Sequence, residues 1–309
     1  MKNKGIIKTL FFHESWDIHV TKNDKLHVFP GNTLDVLSRK GTKKLKKKFT
    51  FQADPFIFEK DNRLYIFYEA FNFRSSKGVL RCRILDTDLN ELNDIKLEGF
   101  DNLNCHLSFP FLLTINGNLF MIPESSERKE VILFQSICFP IYWKQAKVLL
   151  SDIALTDNVL LSVDELYYLV STSLENELVI HTATDIMGEW QKISPVLDVC
   201  NHHHRGAGSP YIINDKLYIL TQECTPDTYG KSVFIKELIK LDMTTFKEIL
   251  VDNIHPSVNK SDGIHTFNFT ENYIVFDTKK NIFNPLSLFK KIMYRCLVKY
   301  RARRLMLQY

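Results

Sequence analysis

The chain has 309 residues, 45% hydrophobic and 25% charged, a balance typical of a soluble globular protein with room for one large all-β domain or two small ones. No run approaches the ~20 consecutive apolar residues of a membrane-spanning helix. The net charge of +4 is small and its basic residues gather at the two flanks, which speaks against a nucleic-acid partner. Six cysteines (Cys82, Cys105, Cys138, Cys200, Cys224, Cys296) are scattered without a C-x-x-C pair, so reduced thiols and no zinc site are expected. The opening MKNKGIIKTLFFHESWD has too short an apolar run for a signal peptide, and a cytoplasmic location follows as the expectation.

In chain order, the segment before residue 50 holds two short apolar stretches, Ile6–Phe12 and Lys25–Phe29. This segment is expected to supply strands that close a ring with the last repeat. A basic run of Lys43, Lys44, Lys46, Lys47 and Lys48 follows. Then a cassette begins that recurs five times at a period of about fifty residues. Its copies are ADPFIFEKDNRLYIFYE (Ala53–Glu69), SFPFLLTINGNLFMIPE (Ser108–Glu124), TDNVLLSVDELYYLVS (Thr156–Ser171), GSPYIINDKLYILTQE (Gly208–Glu223) and the worn HTFNFTENYIVFDT (His265–Thr278). Each reads as a strand, an Asn/Asp/Gly turn and a second strand. Aligned on Pro55 and Pro110, Glu69 falls on Glu124, while the third copy ends in Ser171. A period of this length with four strands per repeat predicts an all-β fold, a five-bladed β-propeller over residues 1–280.

The tail, residues 281–309, reads as a separate basic helix. Pro285 suits a helix start, and Leu286, Phe289, Ile292, Met293, Leu297 and Tyr300 recur at helical spacing among lysines and arginines. Such an amphipathic helix suits an anionic membrane surface, or docking on the protein's own domain.

The topology predicts where the chemistry lies. In a propeller the first strand of each blade lines the central channel, and the antiparallel second strand returns to the same face. Both cassette ends from all five blades therefore converge at one mouth. Blade one brings Asp54 and Glu69; blade two His106, Ser108 and Glu124; blade three Asp157; blade four Arg205, Gln222 and Glu223; blade five His265 and Asp277. Cassette-end carboxylates also suit turn caps and ties between blades, but several like charges buried together are costly without a purpose. Asp54, Glu69, Glu124 and Asp157 are the candidate catalytic carboxylates, with Asp54 leading. Such groups suit glycosyl transfer or glycoside hydrolysis, which need a proton carrier and charge beside an oxocarbenium-like centre. His106, Ser108, Arg205, Gln222, Glu223, Tyr229 and His265 are candidate substrate contacts. Arg205 is the anion contact, suited to a phosphate, and Tyr229-Gly230 serves equally as a turn. The run Asn201-His202-His203-His204-Arg205 is read as a loop feeding Arg205 into the mouth. Adjacent residues on a strand face opposite ways, so no metal is assigned, and no cofactor. Trp190 is read as outer-strand packing.

The strings ADPFIFEKDNRLYIFYE, HLSFPFLLTINGNLFMIPESS, RGAGSPYIINDKLYILTQEC and GIHTFN resemble the N-terminal propeller domain named after plant glucosamine inositolphosphorylceramide transferase, over roughly residues 45–280. The resemblance implies a five-bladed propeller related to arabinanase- and fructosidase-type glycosidases, in which acidic residues from successive blades meet at the channel mouth. The expected function is a glycosyltransferase in bacterial cell-surface polysaccharide or glycolipid assembly. Its partners would be a nucleotide- or lipid-linked sugar donor and a glycan or glycolipid acceptor. A glycoside hydrolase and a non-catalytic sugar-binding scaffold are the alternatives.

Overall fold

A computed structural model describes residues 12–23, 40–72, 77–225, 229–256 and 261–286, with positions 289, 292 and 296. The chain opens with β1 (Phe12–Lys22) and β2 (Lys43–Lys44). The first complete blade holds β3 (Phe51–Lys60), β4 (Arg63–Asn72), β5 (Lys77–Leu85) and β6 (Glu91–Lys96). The second holds β7 (Ser108–Ile115), β8 (Asn118–Glu124), β9 (Val131–Cys138) and β10 (Tyr142–Leu150). The third holds β11 (Thr156–Val163), β12 (Leu166–Thr172), β13 (Leu178–Ala183) and β14 (Gln191–Ile193). Then come β15 (Val196–Asp198), β16 (Tyr211–Ile213), β17 (Lys216–Gln222), β18 (Val233–Leu241) and β19 (Thr245–Ile254), and finally β20 (Phe267–Phe269) and β21 (Tyr273–Phe283). These strands form five sheets, the five blades of a propeller.

The ring closes as the topology requires. The fifth sheet runs β2-β1-β21-β20, so the two ends of the chain share one blade. β1 pairs with β21 along its whole length, from Phe12 opposite Phe283 to Lys22 opposite Tyr273. The lysine run explains itself here. Lys44 and Lys47 reach Asp17 of β1 at 2.6 and 3.2 Å, and Lys48 reaches Glu91 and Asp94 of the first blade at 2.5 and 3.1 Å. The run is thus a clamp across the closure rather than a free basic edge. The fourth blade departs from the expected four strands: β15 adds a fifth, pairing parallel to β19 at the outer edge.

The inner hairpins share two irregularities, the first in blades one to four and the second in blades one to three. At the far end, Asp61-Asn62, Asn116-Gly117, Asp164-Glu165 and Asn214-Asp215 all have positive φ, between 47° and 76°. Two consecutive left-handed residues make the type I′ turn that matches strand twist, which is why Asn, Asp and Gly recur there. At the mouth end, the pairing of inner and second strands slips, between Ala53 and Phe56, Ser108 and Phe111, and Thr156 and Val159. Asp54, Phe109 and Asp157 sit in these bulges with φ of 52°, 42° and 46°. A bulge leaves its residue out of the ladder, so each amide must find another partner. Between blades the core is aromatic: Phe56 meets Phe109 and Phe111 edge-on at 4.9 and 6.0 Å, and Phe67 meets Trp143 at 5.7 Å. Trp190 packs against the same core, its indole N–H on the Ile186 carbonyl.

Of the tail, residues 287–309 lie outside the described residues apart from three positions, and the predicted helix lies with them. Leu286, Phe289 and Ile292 are exposed. No described helix is long and apolar enough to cross a membrane, and all six cysteines are unpaired.

Candidate active site

The bulge amides find carboxylates, and the carboxylates belong to the neighbouring blade. Asp54 N–H donates to Asp277 Oδ2 at 3.0 Å, Phe109 N–H to Asp54 Oδ2 at 3.2 Å, and Asp157 N–H to Glu124 Oε2 at 3.3 Å. Blade five thus holds blade one, blade one holds blade two, and blade two holds blade three. Ser209 N–H of blade four donates to Asn268 Oδ1 of blade five at 2.7 Å, a related tie that runs in the opposite sense and ends on an amide. The carboxylates therefore do serve as ties between blades, and the tie itself turns each one inward to the mouth.

Basic groups from blades four and five answer them. Arg205 places Nε 2.5 Å from Asp157 Oδ2 and Nη2 3.6 Å from Glu124 Oε2. Its guanidinium lies 5.0 Å from the Tyr229 ring centre. Gln222 donates to the same Asp157 oxygen at 2.8 Å and to the Gly206 carbonyl at 2.7 Å. His265 sits between two aspartates, with Nδ1 2.6 Å from Asp277 Oδ2 and Nε2 3.5 Å from Asp54 Oδ1. Its ring stacks on Trp16 at 3.8 Å and meets Tyr229 edge-on at 5.3 Å. Beside this network Glu69 faces His106 Nε2 at 3.1 Å. The Gly78 amide donates to His106 Nδ1 at 3.0 Å, so the ring proton sits on Nε2, towards Glu69. Gly78 is fitted to that pair: a Cβ there would stand 2.4 Å from Glu69 Oε1.

Burial sets the electrostatics. Asp54 is pushed up to about 7 by burial, against the pull of His265 and with help from Asp157, Glu69 and Asp277. Glu124 is pushed up to about 8 by burial and by Asp157, with Arg205 opposing. His265 rises to about 9, because Asp277 and Asp54 outweigh the opposing effect of burial. Carboxyl groups poised near neutrality are the acids and bases that proton transfer needs. The side chains of His106 and Arg205 stay 25% and 20% exposed while those of Asp157 and His265 are at 3%, so an incoming ligand meets the imidazole and guanidinium first.

Not every candidate joins the network. Glu223 is held away from it by Lys231 at 2.8 Å and the Ser232 hydroxyl at 2.7 Å. Ser108 is buried opposite Glu124 in the ladder. Ser171 donates to Asn158 at 2.7 Å. His203 stacks on Phe234, and its carbonyl accepts from Lys236, which helps set the loop that carries Arg205. Among the described residues, Asp54, His265 and Asp277 are the group whose ligand atoms converge, within 4.8 Å. Two ligand atoms on one zinc-like ion stand roughly 3 Å or more apart, given bonds of about 2.1 Å. The 2.6 Å contact of Asp277 with His265 is therefore a hydrogen bond, not shared coordination. Trp16 was missed from the sequence. Nothing local marks it; it reaches the mouth only because β1 lies beside β21.

A family model described as glucosamine inositolphosphorylceramide transferase 1, N-terminal, matches residues 18–279. The chain belongs to this family. Similar curated relatives are the glucosamine inositolphosphorylceramide transferase 1 proteins of Oryza sativa subsp. indica, 29% identical over 214 residues, and Arabidopsis thaliana, 27% identical over 213. Each alignment covers 65% of this chain but 28% and 27% of the relative, so this family member spans little more than a quarter of their length. Among solved structures, one titled glycoside hydrolase superposes with a TM-score of 0.54 at 11% identity, covering 76% of this chain and 60% of that one. A GH43 β-xylosidase/α-arabinofuranosidase from a compost microbial metagenome gives 0.51 at 10%, covering 74% and 90%. These likenesses show a shared propeller fold.

Proposed function

We propose that the chain is a glycosyltransferase acting at the propeller mouth, with a phosphate-linked sugar as donor and a glycolipid or cell-surface glycan as acceptor. One observation carries this reading: carboxylates from blades one to three, two of them raised to near-neutral pKa values, meet a guanidinium and an imidazolium from blades four and five in one buried network. In the proposed step the acceptor hydroxyl attacks the anomeric carbon and gives its proton to Asp54. The bond from that carbon to the leaving oxygen breaks, and Glu124, protonated at neutrality, supplies a proton to that oxygen. Asp157 holds Arg205, whose positive charge serves the donor's phosphate. Glu69 and His106 contact the sugar at the rim.

The relatives support the choice of reaction, since their name specifies transfer with glucosamine and inositolphosphorylceramide. A phosphate in such a molecule suits Arg205. The exposed Leu286, Phe289 and Ile292 among the tail's lysines and arginines suit an anionic membrane surface, as an acceptor held in a bacterial membrane on its cytoplasmic side would require. The test is incubation with a panel of nucleotide-sugars, with and without lipid-linked acceptor, for wild type and Asp54→Asn. Transfer that Asp54→Asn abolishes supports the reading. Hydrolysis of an oligosaccharide without donor makes it a glycosidase. Sugar binding without turnover makes it a scaffold.

A further inference from the structure

Asp277, midway along β21, the second strand of blade five, is fully buried among four polar neighbours. Oδ1 takes the amides of His265 at 3.1 Å and Thr266 at 3.0 Å. Oδ2 takes the Asp54 amide at 3.0 Å and stands 2.6 Å from His265 Nδ1. Three backbone amides already fix both Asp277 oxygens as acceptors, so Nδ1 of His265 faces them as the donor. Trp16 and Tyr229 fix the ring plane. Nε2 is thereby aimed at Asp54 Oδ1, which also accepts from the Thr266 hydroxyl at 2.9 Å.

We propose that Asp277 is the positioning residue of the mouth, holding the Asp54 amide and the His265 ring together so that His265 presents an N–H to the Asp54 carboxylate. A residue that only tied blades would need the Asp54 amide and no ring contact. The ring contact adds a positive charge beside the proposed base and keeps it ionised when the mouth is closed from water. This deepens the sugar-transfer reading and rests on it. The charged or titratable groups facing His265 are Asp277 and Asp54, with Asp157 beyond and the Tyr229 phenol at the edge. Behind Trp16 lies Lys279, its ammonium 5.4 Å from the indole centre.

Histidine ¹⁵N and carboxyl ¹³C NMR titrations of the full chain test the arrangement without any sugar. In the wild type His265 should be doubly protonated at neutral pH. In Asp277→Asn its midpoint should fall by about one to three pH units, the usual effect of removing an adjacent opposite charge. In His265→Gln the Asp54 midpoint should rise, with the remaining spectrum unchanged. A His265 that titrates near 6.5 in the wild type, or an Asp54 unmoved in His265→Gln, overturns the proposal. Should Asp277→Asn fail to fold, those two measurements still decide. A protein with the expected titrations that transfers no sugar loses the transferase reading and keeps the arrangement. A transferase whose pH profile is the same in His265→Gln keeps the reading and loses the arrangement.

Discussion

Replacing Arg205 by methionine keeps most of the side chain's length and removes the charge that faces Asp157 and Glu124. Asp157 lies 2.5 Å from its Nε and Glu124 3.6 Å from its Nη2. Removing one partner of a buried ion pair costs about 3–5 kcal/mol. The Arg205 side chain is 20% exposed, and water can replace part of what is lost, so the lower end, about 3 kcal/mol at pH 7, is expected. For a domain of this size that lowers Tm by roughly 6–12 °C. The pH dependence has a fixed sign. Without the guanidinium, the folded state holds carboxyl protons more tightly than the wild type does. Its stability falls further as pH rises through those titrations and recovers as they fill. Urea unfolding at about pH 5.5, 7 and 8.5 should therefore show a gap from wild type that widens between pH 7 and 8.5, where Glu124 titrates. Equal stability at pH 7, or a gap that grows on acidification, would refute the claim that Arg205 offsets the ring's negative charge.

Three further outcomes are expected. Gly78→Ala would drive a methyl group into Glu69, the Leu107 carbonyl and His106, at 2.4–2.8 Å; a loss of about 1–3 kcal/mol in thermal denaturation is expected, with weaker sugar binding by calorimetry. Once a substrate is found, kcat/KM should fall below about pH 7, where Asp54 takes up its proton, and above about pH 8, where Glu124 loses its own; an acid limb below pH ~5, the range of an ordinary carboxyl, would dismiss Asp54 as base. Deleting residues 287–309 should abolish retention on anionic vesicles and leave the propeller's Tm unchanged; vesicle binding by both forms would remove the membrane argument.

Much of this architecture could be read from the chain because two local rules repeat. Asn, Asp and Gly mark the left-handed turns, and Leu-Tyr or Leu-Phe opens the returning strand, so four hairpins announce themselves and the fifth follows as a worn copy. Their shared geometry then places Asp54, Glu124, Asp157 and His265 at one end. What stayed hidden depends on contacts between distant segments. Trp16 is an unremarkable residue until β1 docks on β21. The lysine run looked like a basic surface because Asp17, Glu91 and Asp94, its partners, lie in other strands. Glu223 ends its cassette as Glu69 and Glu124 do, but counted from the Leu-Tyr pair their place falls to Gln222, and Lys231 and Ser232 draw Glu223 aside. The ties themselves could not be seen either, since a bulge amide and the carboxylate that accepts it come from different blades.

The shared fifth blade has a consequence for how the protein comes into being. Trp16 leaves the ribosome long before Asp277, yet the His265 ring rests between them. The segment Phe12–Lys22 must therefore wait for its partner until β21 has been synthesised. Any cut that frees residues 12–22 afterwards would strip the indole from the imidazole and open the mouth to solvent, even with four blades intact.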